Sequence, residues 1–243
     1  MRKLFFDIGS VSDTGIKREV NQDKFFFKTV ETDTSVAGIF SVADGVGGLN
    51  EGDVASSFVI SNFSKWWEEE FKNHFGDKEY IAASLIKCVM QTNSQLVLRN
   101  SEDTKRRATT LSALLIYEHE YFIVHTGDSR IYEANRKIVQ LTKDHSAIVE
   151  QNVGQRLAKK SVLTQCIGAK NNITPFYASG QIRKNSVFII CSDGIYKKIS
   201  DCEILKTVRA NKDNVQQTCQ SLVDIAKGRG ETDDITIIAV NLN

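Results

Sequence analysis

Aspartates that close apolar runs beside glycine are the residues of this chain whose types and spacing point to chemistry. Val42-Ala43-Asp44-Gly45-Val46-Gly47-Gly48 runs a strand-like segment into a carboxylate, and three glycines in the next four positions let the backbone turn sharply and approach a ligand. Ile189-Ile190-Cys191-Ser192-Asp193-Gly194 repeats the design. Further acidic junctions are His125-Thr126-Gly127-Asp128-Ser129-Arg130, Gly230-Glu231-Thr232-Asp233-Asp234-Ile235-Thr236, and Asn21-Gln22-Asp23 ahead of Phe25-Phe26-Phe27. Taken singly, each reads as a turn, because Asp-Gly is a common hairpin signal. Taken together, they place carboxylates at the same kind of strand end. If the sheets gather them, they cannot all stay ionised without cations. An all-oxygen donor set selects hard ions such as Mg²⁺ or Mn²⁺ over zinc, which prefers His and Cys. Two such ions about 4 Å apart repel by roughly 16 kcal/mol at an effective dielectric of 20. A shared carboxylate and a bridging hydroxide are therefore required between them, an arrangement that generates a nucleophile and steadies a phosphoryl transition state.

The elements that must position these junctions are legible in outline. Asp23 to Thr32 and Val36 to Ala43 read as a hairpin rich in Phe, Val and Ile. Helical spacing of Val54, Phe58, Phe63, Trp66, Trp67 and Phe71 predicts a helix from Val54 to about Phe75, with Asp53 near its cap. A second helix is predicted from about Tyr80 to Arg99. Strands are expected over Thr109 to Tyr117, Tyr121 to His125, Ser129 to Ala134, Lys137 to Leu141, Phe176 to Gln181 and Ser186 to Cys191. Helices follow over about Asp201 to Ala210 and Val215 to Lys227, and Asp234 to Leu242 closes as an alternating strand. Runs of strands joined by tight turns, with helices arriving in amphipathic pairs, imply an α+β sandwich of antiparallel sheets covered by helix layers.

The totals exclude several classes. In 243 residues, 31 Lys and Arg against 30 Asp and Glu leave a net charge of +1, which recommends neither nucleic acid nor an anionic membrane as the partner. Cys88, Cys166, Cys191, Cys202 and Cys219 are scattered and never form a Cys-x-x-Cys pair, so they read as buried small hydrophobes in a reducing compartment. No apolar run suits a signal peptide or a membrane span, so a soluble cytoplasmic protein is expected. With a single proline, Pro175, and no low-complexity stretch, no linker is evident, and one domain over residues 1–243 is expected.

In order along the chain, Asn21-Gln22-Asp23, Asp44-Gly45-Val46-Gly47-Gly48, Gly127-Asp128-Ser129-Arg130, Ser192-Asp193-Gly194 and Thr232-Asp233-Asp234-Ile235-Thr236 resemble the motifs of the metal-dependent protein phosphatase (type 2C) family. Ala108-Thr109-Thr110, Asp144-His145-Ser146 and Val162-Leu163-Thr164-Gln165-Cys166-Ile167-Gly168 look similar too. The resemblance implies a four-layer α-β-β-α sandwich and hydrolysis of phosphoserine and phosphothreonine in proteins by direct attack of a metal-bridging hydroxide, with no phosphoenzyme. It implies that Asp44 bridges two Mn²⁺ or Mg²⁺ ions, the Gly45 carbonyl helps hold the second, Asp193 and Asp233 complete the first, and Asp23 binds a coordinated water. Asp128, with Asp193, matches the position of a third, weaker metal in bacterial members. Arg18 matches the arginine that grips the substrate phosphate, a task its planar fork suits. Without the resemblance, Arg18 would read as a solvated loop charge between Lys17 and Glu19. The implied partners are phosphoproteins and a cognate kinase, and the implied state is a monomer.

The chain also departs from the family pattern. Gln22 stands where many members carry glutamate, so the second site loses a charge. Asp234 stands where asparagine is frequent, and it is expected to restore part of that charge. Val46 replaces the histidine proposed as general acid in eukaryotic members. His145, in a Lys-Asp-His-Ser turn, is expected to be structural. Ala147 to Val162, with Arg156, Lys159 and Lys160, corresponds to the flap beside the active site and reads either as a selector of phosphopeptides or as a solvated helix face. Rival chemistries fail on the letters: no cysteine is followed six positions later by arginine, Asp7-Ile8-Gly9 is not an aspartyl-phosphate motif, and His74, His119, His125 and His145 are too few and too scattered for a His-rich metallophosphatase. A two-metal nuclease would need a basic stripe that is not apparent. A catalytically weakened, phosphoprotein-binding relative is the alternative that Gln22 favours.

Overall fold

The path of the chain begins and ends in the same sheet. The computed structural model describes residues 5–32, 35–46, 51–102, 105–153 and 156–242, with the backbone alone described at 151–153 and 156–159. Strand β1 (Phe6–Asp13) pairs antiparallel with the last strand, β12 (Ile235–Leu242), from Phe6 opposite Leu242 to Asp13 opposite Ile235. Beside β12 lie β11 (Val187–Cys191), β6 (Arg130–Ala134) and β7 (Ile138–Gln140), in the order β1-β12-β11-β6-β7. The second sheet runs β10-β5-β4-β3-β2, built from β10 (Phe176–Gln181), β5 (Glu120–Thr126), β4 (Leu111–Tyr117), β3 (Val36–Ala43) and β2 (Lys24–Glu31). All neighbours are antiparallel.

The helices cover the outer faces as the pairing predicts. Helices α1 (Gly52–Trp66) and α2 (Lys78–Glu102) bury Val59, Phe63, Trp66, Leu85, Val89 and Leu96 against Ile39, Ala113, Leu115 and Val124 of one sheet. On the other sheet, α4 (Asp201–Ala210) and α5 (Val215–Gly228) bury Ile204, Val208, Cys219 and Leu222 against Ile189, Ile237 and Ala239. Between the sheets, Phe40, Leu114, Ile116, Ile131, Phe188, Ile190, Ile238 and Val240 form the central layer. The result is an α+β, four-layer sandwich, as expected.

Differences from the sequence reading have identifiable causes. Strand β1, absent from the reading, contains Gly9, Ser10, Ser12 and Asp13, which carry little strand propensity; it exists because β12 pairs with its whole length. Gly9 is required there, since a Cβ would lie 2.5 Å from the backbone of Gln216 on α5. The first helix leaves α geometry after Trp66 through a π turn, Trp67–Phe71, and a 3-10 turn, Lys72–His74. That π turn stacks Trp67 on Phe71 with ring centroids 4.2 Å apart. The predicted flap is no helix face but a hairpin of its own, β8 (Ser146–Val153) and β9 (Arg156–Leu163). Four cysteines are buried, but Cys202 is exposed on α4.

Candidate metal centre and active site

Register alone brings the acidic junctions to one end of the sandwich. Lys24 of β2 pairs with Ala43 of β3, and the Gly45 amide continues the ladder by donating to the Gln22 carbonyl at 3.2 Å, so Asp23 and Asp44 face each other just beyond the strands. In the facing sheet, Cys191 at the end of β11 pairs with Arg130 at the start of β6 and with Ile237 of β12. Asp193, Asp128 and Asp233 therefore leave that sheet at a common edge. Gly127-Asp128-Ser129 itself crosses from β5 in one sheet to β6 in the other, with Gly127 at φ +115°, a conformation that favours glycine. A Cβ on Gly127 would also strike the Thr110 side chain at 2.6 Å.

The side chains behave as one electrostatic group. The Asp44 carboxyl is pushed well up by burial and then by the neighbouring charges of Asp23, Asp193, Asp128 and Asp233. Asp23, 3% exposed, is raised by burial to about 7 against the pull of the Ser192 and Thr236 hydroxyls, with Asp234 and Asp193 adding repulsion. Burial and Asp193 raise Asp128 to about 6. Asp193 is raised by burial, opposed by Lys197.

Positive charge is supplied from two sides. Arg18 donates through Nη2 at 2.6 Å and Nε at 3.1 Å to Oδ1 of Asp233. The Lys197 ammonium pairs with Oδ2 of Asp193. No three His, Cys, Asp or Glu side chains among the described residues converge as a finished cage. The donor set nonetheless fits hard divalent ions. Asp23 Oδ2, Asp193 Oδ1 and Gln22 Oε1 are buried acceptors without a hydrogen-bond partner, a costly arrangement unless a cation or its water engages them. The Gly45 backbone is equally confined: a Cβ there would lie 2.6 Å from Gly52 and 2.8 Å from the Gln22 carbonyl oxygen.

The loop that carries Arg18 is held by a residue to which the sequence reading assigned another task. Asp234, 4% exposed, accepts the Gly15 amide on Oδ1 at 2.9 Å and the Gln22 amide on Oδ2 at 2.8 Å. Both oxygens are thus engaged in clamping the segment between β1 and β2, a task the sequence reading did not foresee beside the charge it expected Asp234 to supply, and that charge is felt at Asp23. The second oxygen of Asp234 matters, because an asparagine could accept only one of these bonds in this way.

The supports of the cluster are hydroxyls and rings. The Asp44 amide donates to Thr110 Oγ1 at 3.0 Å, and the Asp44 carbonyl accepts the Thr110 amide and the Thr109 hydroxyl, both at 2.8 Å. Tyr196 donates its hydroxyl to the Asp128 carbonyl at 2.9 Å, while the Arg130 guanidinium lies 3.6 Å from the Tyr196 ring centre and pairs with Asp144 at 2.7 Å. His145 accepts the Gly127 amide at 3.2 Å on Nδ1 and stacks on the buried His125 with ring centroids 5.2 Å apart, the structural part expected of it. Val46 donates its amide to Ala108 at 3.0 Å. Gly47 and Gly48 lie outside the described residues.

The family model of Protein phosphatase 2C matches residues 16–228. The chain belongs to that family. Among curated relatives, a putative protein phosphatase 2C-type from Streptococcus pyogenes is 28% identical over 240 residues, covering 95% of each chain. The protein phosphatase PhpP of Streptococcus pneumoniae is 27% identical over 246 residues, covering 98% of each. Solved structures share the fold: the Streptococcus agalactiae serine/threonine phosphatase superposes with a TM-score of 0.84 at 24% identity, over 98% of this chain and all (100%) of that one. The catalytic domain of the phosphatase PstP, solved in complex with two manganese ions, has a TM-score of 0.77 at 23% identity, over 98% and 99% of the two chains.

Within this family site, sequence reasoning missed Lys197, although it lies four residues after Asp193, the spacing that joins ion pairs across a helical turn. Tyr196 and the Arg130–Asp144 pair carried no local signal, since the tertiary fold alone brings Tyr196 to Asp128.

Proposed function

We propose that this protein-serine/threonine phosphatase holds two divalent cations, Mn²⁺ or Mg²⁺, on Asp44 with the Gly45 carbonyl and on Asp193 and Asp233, with Asp23 accepting from a cation's water. A third, weaker ion belongs near Asp128 and Asp193. The single observation that carries this reading is the unpartnered, buried oxygen on Asp23 and on Asp193 within a group of carboxylates that raise one another's proton affinity. The two manganese ions of the PstP structure support the count. When bound, such cations activate water at neutral pH and offset the charge of the transferring phosphoryl group.

The chain's own residues do the positioning. Arg18 swings its fork from Asp233 to the non-bridging oxygens of the substrate phosphate, which it meets bidentately. Thr109 and Thr110 hold the Asp44 backbone at the end of β3, where its carboxylate joins the acidic cluster. No cysteine or serine nucleophile is required.

The substrates are phosphoserine and phosphothreonine proteins, in keeping with relatives described as protein phosphatase and serine/threonine phosphatase. We further propose that residues 1–243 act as one catalytic domain, monomeric and cytoplasmic, opposing a cognate kinase. No helix among the described residues is long and apolar enough to cross a membrane. The test is hydrolysis of an aryl phosphate and of a phosphothreonine peptide with and without Mn²⁺. Turnover is expected to require the metal and to fall by about a thousandfold or more in Asp193→Ala. Metal-independent turnover, or full activity in that variant, would sink the assignment.

A further inference from the structure

Lys197 follows the short helix α3 (Asp193–Tyr196) as its C-cap residue, and its backbone amide donates to the Asp193 carbonyl at 3.0 Å. The same turn carries its ammonium back onto Oδ2 of Asp193. Burial works against the ammonium, but its pair with Asp193 and the charges of Asp233 and Asp44 hold it charged. The other Asp193 oxygen, Oδ1, is buried and unpartnered.

From this geometry we infer that Lys197 is a built-in counter-ion of the first metal position, competing with a divalent cation for Asp193 and so weakening cation binding in this chain. The inference rests on the metal site proposed above. A cation that takes both Asp193 oxygens must displace the ammonium. A cation that takes Oδ1 alone must sit beside a full positive charge. Either route costs affinity, and the repulsion between a divalent ion and an ammonium a few ångströms away is poorly screened at a partly buried site. Displacement is reversible, because the Lys197 side chain is 44% exposed and has water to move into. Arg18 plays a comparable part on Asp233, but its fork has the substrate phosphate as an alternative partner. Lys197 thus sets the cation concentration at which the enzyme fills.

The experiment is calorimetric titration of the full chain with Mn²⁺ alone, for the wild type, Lys197→Met, Lys197→Arg and Lys198→Met, each checked for an unchanged circular-dichroism melt. Lys197→Met is expected to bind the first Mn²⁺ roughly tenfold more tightly. Lys197→Arg, which keeps the charge, should stay near the wild type. Lys198→Met removes a neighbouring charge outside the cluster and should also leave affinity unchanged. Equal affinities in wild type and Lys197→Met overturn the inference while leaving the metal site standing, and so does an equal gain in Lys198→Met. Absence of Mn²⁺ binding in every variant overturns the metal site itself, and the inference with it.

Discussion

Arg18 holds one oxygen of Asp233 with two of its donors, which aligns a guanidinium at the edge of the acidic cluster. Lysine in its place would keep the charge and lose the fork. Arg18→Lys is therefore expected to raise KM for an aryl phosphate about tenfold with a smaller change in kcat, measured by steady-state kinetics at saturating Mn²⁺. Gln22 shows how a single residue acts through two groups. Its backbone carbonyl accepts the Gly45 amide at 3.2 Å and the Ser56 hydroxyl at 2.6 Å, so the backbone is structural, while the buried side-chain Oε1 is left as an unpartnered neutral acceptor.

Among the elements, the segment between β1 and β2 is an exposed part of the site's frame, with Ile16 and Val20 in solvent at 68% and 57%. Its order comes from Asp234. Replacing one carboxylate oxygen with an amide leaves either the Gly15 or the Gln22 amide without its acceptor. Asp234→Asn is expected to cost about 1–3 kcal/mol in a urea melt and to raise KM through a looser Arg18, with Mn²⁺ affinity close to the wild type. Stability and KM both unchanged would show that the clamp is not needed. At the other turn, Gly45→Ala inserts a methyl where the Gly52 backbone and the Gln22 carbonyl leave no room. Loss of about 1–3 kcal/mol together with loss of most activity is expected, by melt and assay, since the ladder that sets Asp23 against Asp44 must open. The β8–β9 hairpin is tied to this end too, because the Thr164 amide donates to His145 at 2.8 Å and the His145 amide to Gly127 at 2.7 Å.

Across the whole molecule, two antiparallel sheets stacked face to face concentrate negative charge at one rim, and stability should register that charge. Burial, with neighbouring carboxylates, pushes Asp23 up to about 7 and Asp128 up to about 6 from an ordinary value of 3.8. Their folded pKa values are raised, so the native state binds more protons than the unfolded chain between about pH 4 and pH 7, and stability is lost as pH rises through that window. Without added metal, Tm is expected to fall between about pH 6.5 and pH 7.5, above the range over which the buried His125, pushed down to about 4, adds stability as pH rises, and Mn²⁺ should raise Tm more at the higher pH, where the carboxylates are ionised. Differential scanning calorimetry checks both, and a flat profile would mean that the cluster is not coupled to folding.

The residue types and order of the five acidic junctions belong to the primary structure, and so do the paired amphipathic helices and most of the strands, because apolar periodicity and Asp-Gly turns are local properties. Even the family was readable from them. The tertiary structure decided what depends on register and on distant pairing. It made a strand of Phe6–Asp13, whose composition does not ask for one, by laying it along β12. It made Asp234 a clamp as well as a charge, because only the fold brings the Gly15 and Gln22 amides to its two oxygens. It set the Tyr196 hydroxyl on the Asp128 carbonyl, a contact whose energy arises from burial and proximity that neither residue possesses in an extended chain.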